Sequence, residues 1–521
     1  MEFIRNFPLF TIVLSLFSGV LCMLLSARKA RNYTLAYECV LMGLVSAVLF
    51  YTVRTGQSFT YVMGEFPAPW GNEIRAGILE ALIALVFLLI MFVSVIAGWH
   101  FLVTDIDASK INLYFTLINL MTAALMAIIW TNDIFTGYVF LEILTLTSCG
   151  ILIVRELGRT TLAAVRYMIM NLLGSGLFLI GVVLLYDITG QLLMVPMQET
   201  VSVISADPRE MMTLILSLMI LTIGLCIKSG LFPFHFWMPD TYGWATPSSA
   251  AILSSLGSKA YIFLLFKIYY RCIGIGIFEQ MPISRVLFVL GLGGMFFGSV
   301  SALLAANIDR MIAFSSAAQI GYIFMGIGLG GTEGYTAAMF HIIAHSLTKS
   351  LLFLTAPRLA EVSGSSLLFG RITGSALKRR DAGLFFLAAS LSMIGIPLFA
   401  GFSSKLLFAF AAVSSGSERK WLMTMIMLAV SAVLNALYFI RTLIRIYTED
   451  RPGTSGRKTT FRDAVTGVVI GDTADQAAVQ TKGFQADYVI PCAVLVAANV
   501  FLGLFSWVVV GLIERGLSMF G

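Results

Sequence analysis

Apolar residues run along the chain in continuous stretches of about twenty, parted by short polar breaks. The runs lie near residues 8–26, 35–53, 77–103, 111–131, 133–154, 165–187 and 211–230. They resume near 249–270, 284–306, 309–330, 334–356, 381–401, 421–446 and 489–512. Some twenty helical residues cross the ~30 Å hydrocarbon core of a bilayer. The pattern therefore predicts an all-α polytopic membrane protein with about fourteen transmembrane helices. A β-barrel would show short segments alternating residue by residue, and these runs do not. Ser26-Ala27-Arg28 has a trace of a signal-cleavage site, but so many spans follow that 8–26 reads as a retained first helix. The stretch 449–488, rich in Gly, Thr, Asp and Gln, reads as a polar cytoplasmic loop, with a C-terminal transmembrane helix in 489–521.

Composition agrees: of 521 residues, 58% are hydrophobic and 12% charged, with a mean hydropathy of +0.91. Basic residues cluster after the odd-numbered spans, as Arg28, Lys29 and Arg31, as Arg155 and Arg159, as Arg371 and Lys378 to Arg380, and as Arg451, Arg457, Lys458 and Arg462. By the positive-inside rule these loops are cytoplasmic and both termini lie outside. Arg271, Arg285, Arg419 and Lys420 are exceptions on the other side. This bias accounts for the net charge of +6 without nucleic acid. The six cysteines are scattered with no CxxC spacing, no GxxxxGK loop occurs, and there are four histidines. No cofactor and no metal site is expected.

The break after 230 is the unusual place. Gly224 to Lys259 carries two lysines, a histidine, an aspartate and three prolines inside a chain of membrane spans. Each charge at mid-depth costs about 2.5–3.5 kcal/mol on insertion scales, so chains that keep them generally use them. A Pro-kinked helix with Lys228 snorkelling to the interface is the plainer alternative. Glu142 falls near the middle of its span and is the candidate counter-ion of Lys228. Lys259 has helix on both sides. His341, His345 and Lys349 stand four apart and line one helix face over about 12 Å, a row able to pass protons. Two histidines bonding to neighbouring helices would be the structural alternative. His235, Asp240, Ser254 and Ser255 line the path or satisfy freed backbone groups. Glu38, Glu80 and Lys267 lie toward helix ends and are expected at the interface.

A repeat also shows. Asn132-Asp133 recurs in character at Asn307 and Asp309, and the broken helix of Lys228 recurs at Lys405, with offsets of 175 and 177 residues. Five spans per unit would set the second unit in the opposite sense, a transporter arrangement with the ion path near the midplane. The expected organisation is 1–105 for three N-terminal helices, 106–275 for the first five-helix repeat and 276–448 for the second, each with a broken helix.

Five stretches in order carry a family resemblance: NDIFTGYVFLE, KSGLFPFHFWMPDTYGWATPSSAAILSSLGSK, RMIAFSSAAQIGY, HIIAHSLTKSLLF and GIPLFAGFSSKLL. They resemble the signatures of the antiporter-like proton-translocating subunits of Mrp-type sodium/proton antiporters, membrane-bound NiFe hydrogenases and respiratory complex I. The resemblance covers about residues 100–450. It implies fourteen helices with inverted five-helix repeats, and partners among the other membrane subunits of such an assembly in a prokaryotic cell membrane. It also implies proton translocation through the Glu142–Lys228 pair, Lys259, the His341/His345/Lys349 row and Lys405, with Na+ as a further candidate ion. Ser254-Ser255 stands where complex I members usually carry a histidine, Asn307-Ile308-Asp309-Arg310 departs from the usual Asp-x-Lys-Arg, and the usual glycine after Leu-Phe-Leu of the histidine helix is replaced, leaving Thr-Ala-Pro-Arg around Pro357. These departures lean toward the Mrp D-type and hydrogenase branch. A solute transporter and a non-conducting structural subunit are the rival classes. The chain carries no redox centre of its own to make it an enzyme.

Overall fold

The computed structural model describes residues 2–66, 71–449, 461–462, 469–470 and 485–520. Most of the 449–488 loop expected from the sequence lies outside them. Helices α1 (Phe7–Met23), α2 (Ala27–Thr55) and α3 (Ile78–Asp105) come first, with a hairpin of β1 (Phe59–Val62) and β2 (Glu73–Ala76) before α3. Phe59 sits opposite Ala76 in that antiparallel pair. The first unit is α4 (Ile111–Trp130), α5 (Ile134–Ile153), α6 (Gly158–Thr189), the short α7 (Met194–Ile204), α8 (Pro208–Ser229) and α9 (Met238–Trp244). It ends in one rod, α10 (Pro247–Ile252), α11 (Ser258–Lys267) and α12 (Ile275–Gln280), joined through π-helical turns at Leu253–Gly257 and Ile268–Gly274.

The second unit holds α13 (Pro282–Leu304), α14 (Ile308–Leu329), α15 (Gly331–Ala360), the single turn α16 (Ser375–Lys378), α17 (Arg380–Ile394), α18 (Ala400–Ser414) and α19 (Glu418–Tyr447). After the two-residue strands β3 (Phe461–Arg462) and β4 (Val469–Ile470) come α20 (Ala486–Leu504) and α21 (Ser506–Ser518). Among the described residues 13 helices are long and apolar enough to cross a membrane. The pair α17–α18 supplies a further span in two halves, which gives the expected fourteen. The last apolar run divides in two at Phe505.

The two units share landmarks. Asp133 caps α5 by accepting from the Thr136 N–H at 2.6 Å, and Asn307 caps α14 by accepting from the Arg310 N–H at 2.8 Å. The next residue in each, Ile134 and Ile308, donates its N–H to Leu192 and Leu367 respectively. Gly230 closes α8 and Gly395 closes α17, both left-handed at φ 74° and 93°, where a side chain would be strained. The breaks lie 165 residues apart rather than about 175, chiefly because α8, at 22 residues, is longer than α17, at 15. Lys228 therefore precedes its break by two residues, and Lys405 follows its own by ten.

The apolar stretches of helices α14 and α15 form the centre, wholly buried by the rest of the chain, whereas those of the outer helices α1, α2, α19 and α20 are about a third buried. Close backbone contact joins α13 to α14: a Cβ on Gly291 would lie 2.4 Å from the Met325 nitrogen, and one on Gly321 2.6 Å from the Gly291 oxygen. Small residues at such a crossing replace side-chain packing with backbone packing. At the far end, the Arg271 guanidinium pairs with Glu80 and donates to the Phe520 carbonyl at 2.6 Å, while Arg75 donates to Met519 O at 2.8 Å. These bonds hold α21 against α3 and the rod.

Three residues expected at the interface are buried by the rest of the chain. Glu80 is covered because Arg271 neutralises it. Lys267 is covered because its ammonium caps the C-terminus of α4, donating to the Ile128, Ile129 and Thr131 carbonyls at 2.8, 2.9 and 2.6 Å. Glu38 is covered with no cation beside it among the described residues.

Candidate functional site

The first break puts a lysine at the end of a helix whose last carbonyls favour positive charge. Lys228 occupies the last turn of α8, fully buried. Its ammonium donates to Thr145 Oγ1 at 2.7 Å, lies 3.6 Å from Glu142 Oε1, and stands 5.4 Å from the centre of the Tyr261 ring. Glu142 and Thr145 are three apart on α5 and so share a face. Tyr261 Oη and Thr145 Oγ1 are 3.3 Å apart. Tyr261 is two residues from Lys259 on α11, so the first lysine's surroundings reach the helix that carries the second.

Lys259 is fully buried, and its ammonium donates to the Ser254 carbonyl inside the π turn. A π turn widens the helix and often marks functional sites. The neighbouring Ser255 carbonyl accepts from Ser346 Oγ at 2.7 Å, which ties the rod to α15. The contributions of Ser254 and Ser255 to these links come from their backbones. Lys259 interacts electrostatically with His341, His345 and Lys349.

All three residues of the row lie buried on α15. Lys349 donates to Ile312 O at 2.8 Å and to Ser315 Oγ, both on α14. The rings of His341 and His345 are parallel, 3° apart in plane, with centres at 5.7 Å. Neither His345 nitrogen has a partner among the described residues, nor does His341 Nε2. His341 Nδ1 is 2.7 Å from Ser404 Oγ, and Ser404 is adjacent to Lys405. Lys405 reaches back across its break and donates to Met393 O and Ile394 O at 3.2 and 2.5 Å, the last carbonyls of α17. Its stem belongs to α18, but its charge sits at the break, as that of Lys228 does.

Between these groups is a small cavity lined by Gln319, His341, His345, Thr348, Ser392 and Lys405, of a size for about one water. No direct hydrogen bond joins the two rings, so transfer along the row needs a bridging water, and the unpartnered nitrogens can bind one. Chemically, the arrangement is a file of proton donors and acceptors through the buried middle of the molecule. No group of three or more metal-ligating side chains occurs among the described residues.

His235 and Asp240 stand apart from this file. His235 packs among Phe232, Phe236 and Phe314, with Nδ1 unpartnered among the described residues. Asp240, on α9, accepts from Arg166 on α6 at 2.5 Å and from Arg310 on α14 at 2.7 Å. It bridges the two units. Thr145, Tyr261, Ser315, Ser346 and Ser404 were not singled out from the sequence. Only Thr145 and Ser404 had a signal there, by spacing from Glu142 and adjacency to Lys405.

Comparisons with known proteins agree with this architecture. The family model described as NADH:quinone oxidoreductase/Mrp antiporter, TM, matches residues 131–434. An NADH-quinone oxidoreductase subunit N of Desulforudis audaxviator is 30% identical over 459 residues, 87% of this chain and 88% of that protein. A Na(+)/H(+) antiporter subunit of Bacillus subtilis is 24% identical over 446 residues, covering 85% and 86%. In fold the chain is similar to one in the Mrp complex from Dietzia sp. DQ12-45-1b, with a TM-score of 0.84 at 23% identity over 99% of this chain and 97% of that one. It is also similar to a chain of an archaeal membrane-bound sulfane sulfur reductase, with a TM-score of 0.82 at 22% identity, covering 98% and 97%. This multi-pass membrane protein belongs to the NADH:quinone oxidoreductase/Mrp antiporter transmembrane family.

Proposed function

We propose that the chain is the proton-conducting subunit of a multi-subunit membrane complex of the Mrp, hydrogenase or complex I-like kind, set in a prokaryotic cell membrane with both termini outside. The observation that carries this reading is the Lys228–Glu142 pair at a broken helix, followed by buried lysines and histidines up to Lys405. In this reading, a change in a neighbouring subunit loosens Lys228 from Glu142. The proton then passes by way of Lys259 and the α15 row to Lys405 and out. Exchange for Na+ belongs to the same reading. The relatives' names cover both an antiporter subunit and a quinone oxidoreductase subunit, which leaves the driving reaction to the partner subunits. The cavity beside Lys405 has the scale of a water rather than of a solute.

The test is acidification of proteoliposomes that hold the intact complex, with and without Na+. Lys228→Met and Lys405→Met are expected to stop ion-linked activity while assembly is kept. Full pumping by both variants overturns the assignment. Solute uptake that survives both substitutions would instead favour a solute carrier.

A further inference from the structure

Glu38 is a buried acidic residue that the proton file leaves unexplained, and the one with both carboxylate oxygens unpartnered among the described residues. It stands eleven residues into α2, a helix of 29 residues, and so about 16 Å from its start. Its exposure is 0%, and neither carboxylate oxygen has a hydrogen-bond partner among the described residues. Two other buried acids are matched by cations, Glu80 by Arg271 and Glu361 by Arg358 and Arg379, whereas Asp309, like Glu38, has no ion pair and keeps an unpartnered oxygen among the described residues. Glu38 has no such match among the described residues.

No cation is paired with it among the described residues, and Asn119 of α4 reaches the same face of α2 one turn away. Thr34 lies one turn earlier on the same face of α2. On α4, Asn119 Nδ2 donates to Thr34 Oγ1 at 3.3 Å and to Cys22 Sγ of α1 at 3.1 Å. That use of the amide nitrogen leaves Asn119 Oδ1 at zero exposure with no described donor to accept from. A bare buried carboxylate costs several kcal/mol and an unpaired amide oxygen about 1–3 kcal/mol. One bound positive charge answers both. A single carboxylate matches a single charge, which argues against a divalent ion.

We propose that Glu38, with Asn119 as its auxiliary oxygen donor, forms a binding site for one monovalent cation, H+ or Na+, among the N-terminal helices and apart from the lysine–histidine file.

The test uses the full chain purified in its complex, titrated calorimetrically with NaCl against choline chloride, alongside infrared spectra in the carboxylic-acid C=O region. For bound Na+, the NaCl isotherm shows a site that Glu38→Gln removes and Asn119→Ala weakens at least tenfold. For a bound proton, NaCl gives no such site. A carboxylic-acid band then appears that Glu38→Gln abolishes and Asn119→Ala shifts. Either result supports the site. The idea is overturned if Glu38→Gln changes neither the isotherm nor the band. Should Glu38→Gln fail to assemble, Asn119→Ala decides alone, and an unmoved isotherm with an unmoved band overturns the proposal. Lys228→Met is expected to leave both signals as they are, so this site can stand or fall independently of the proposed proton file.

Discussion

Replacing Glu142 by Gln removes the counter-ion of Lys228 and keeps the side chain's shape. At 3.6 Å and an effective dielectric of about 20, the pair attracts by about 4.6 kcal/mol. Glu142 is 26% exposed, so solvent screens part of this, and about 2 kcal/mol is a fair net figure. At 1.4 kcal/mol per factor of ten, transport should fall about 30-fold if pairing governs the rate-limiting transfer. Thr145→Val removes a hydrogen bond from a charged donor at 2.7 Å, a contribution of about 1.5 kcal/mol or more, so about tenfold. The informative variant is the double one. Because both partners act through one ammonium, Glu142→Gln/Thr145→Val should be slowed by less than the product of the two single effects. The assay is ΔpH-dependent dye quenching in proteoliposomes, normalised to assembled complex. A Glu142→Gln rate within twofold of the unchanged protein would refute the reasoning. So would a double variant slowed by the product of the single effects.

Three further outcomes follow from single contacts. Ser404→Ala breaks the 2.7 Å link between His341 and the helix of Lys405 and should slow the same dye response several-fold with assembly intact; an unchanged rate argues that the link carries no proton. Lys267→Met strips three buried carbonyls of their donor and should cost about 2–4 kcal/mol, read as a lowered unfolding temperature in detergent, with Lys267→Arg recovering part of it. Gly224→Ala would set a Cβ 2.5 Å from the Gly174 oxygen and 2.6 Å from the Phe178 nitrogen, prying α8 from α6 for about 1–3 kcal/mol. Gly176→Ala meets nothing within 4 Å and should be neutral in the same melt.

Much of the fold was legible because bilayer-spanning helices announce themselves by length alone. The α17–α18 span is the instructive exception: neither half is long enough to cross, and the Gly395 break had to be seen as part of one span. The charged residues of the site were visible for the same reason, as costly groups in apolar runs. Their neutral partners were not. Ser346, Ser315 and Tyr261 look like ordinary span residues until helix packing brings them to a charge. The burial of Glu38 and Lys267 was not legible, because position along a helix says little about which face a neighbour covers. Lys267 is buried by its bonds to the end of α4, more than a hundred residues away in sequence. The offset of 177 residues between the two lysines is not that of the two breaks, since α8 is longer than α17 and the matching charges are carried by opposite halves of the two broken helices.

The backbone contact between α13 and α14 has a mechanical consequence. With Gly291 against Met325 and Gly298 against Ala318, no side chain lies between the two helices at these crossings to yield under load. The pair must move as one body. The outer face of α13 carries Val286, Val289, Phe296 and Phe297, all exposed, while α14 brings Ser315 to Lys349 and Tyr322 to His341. Pressure on that outer face is therefore delivered to the histidine row with almost no slack.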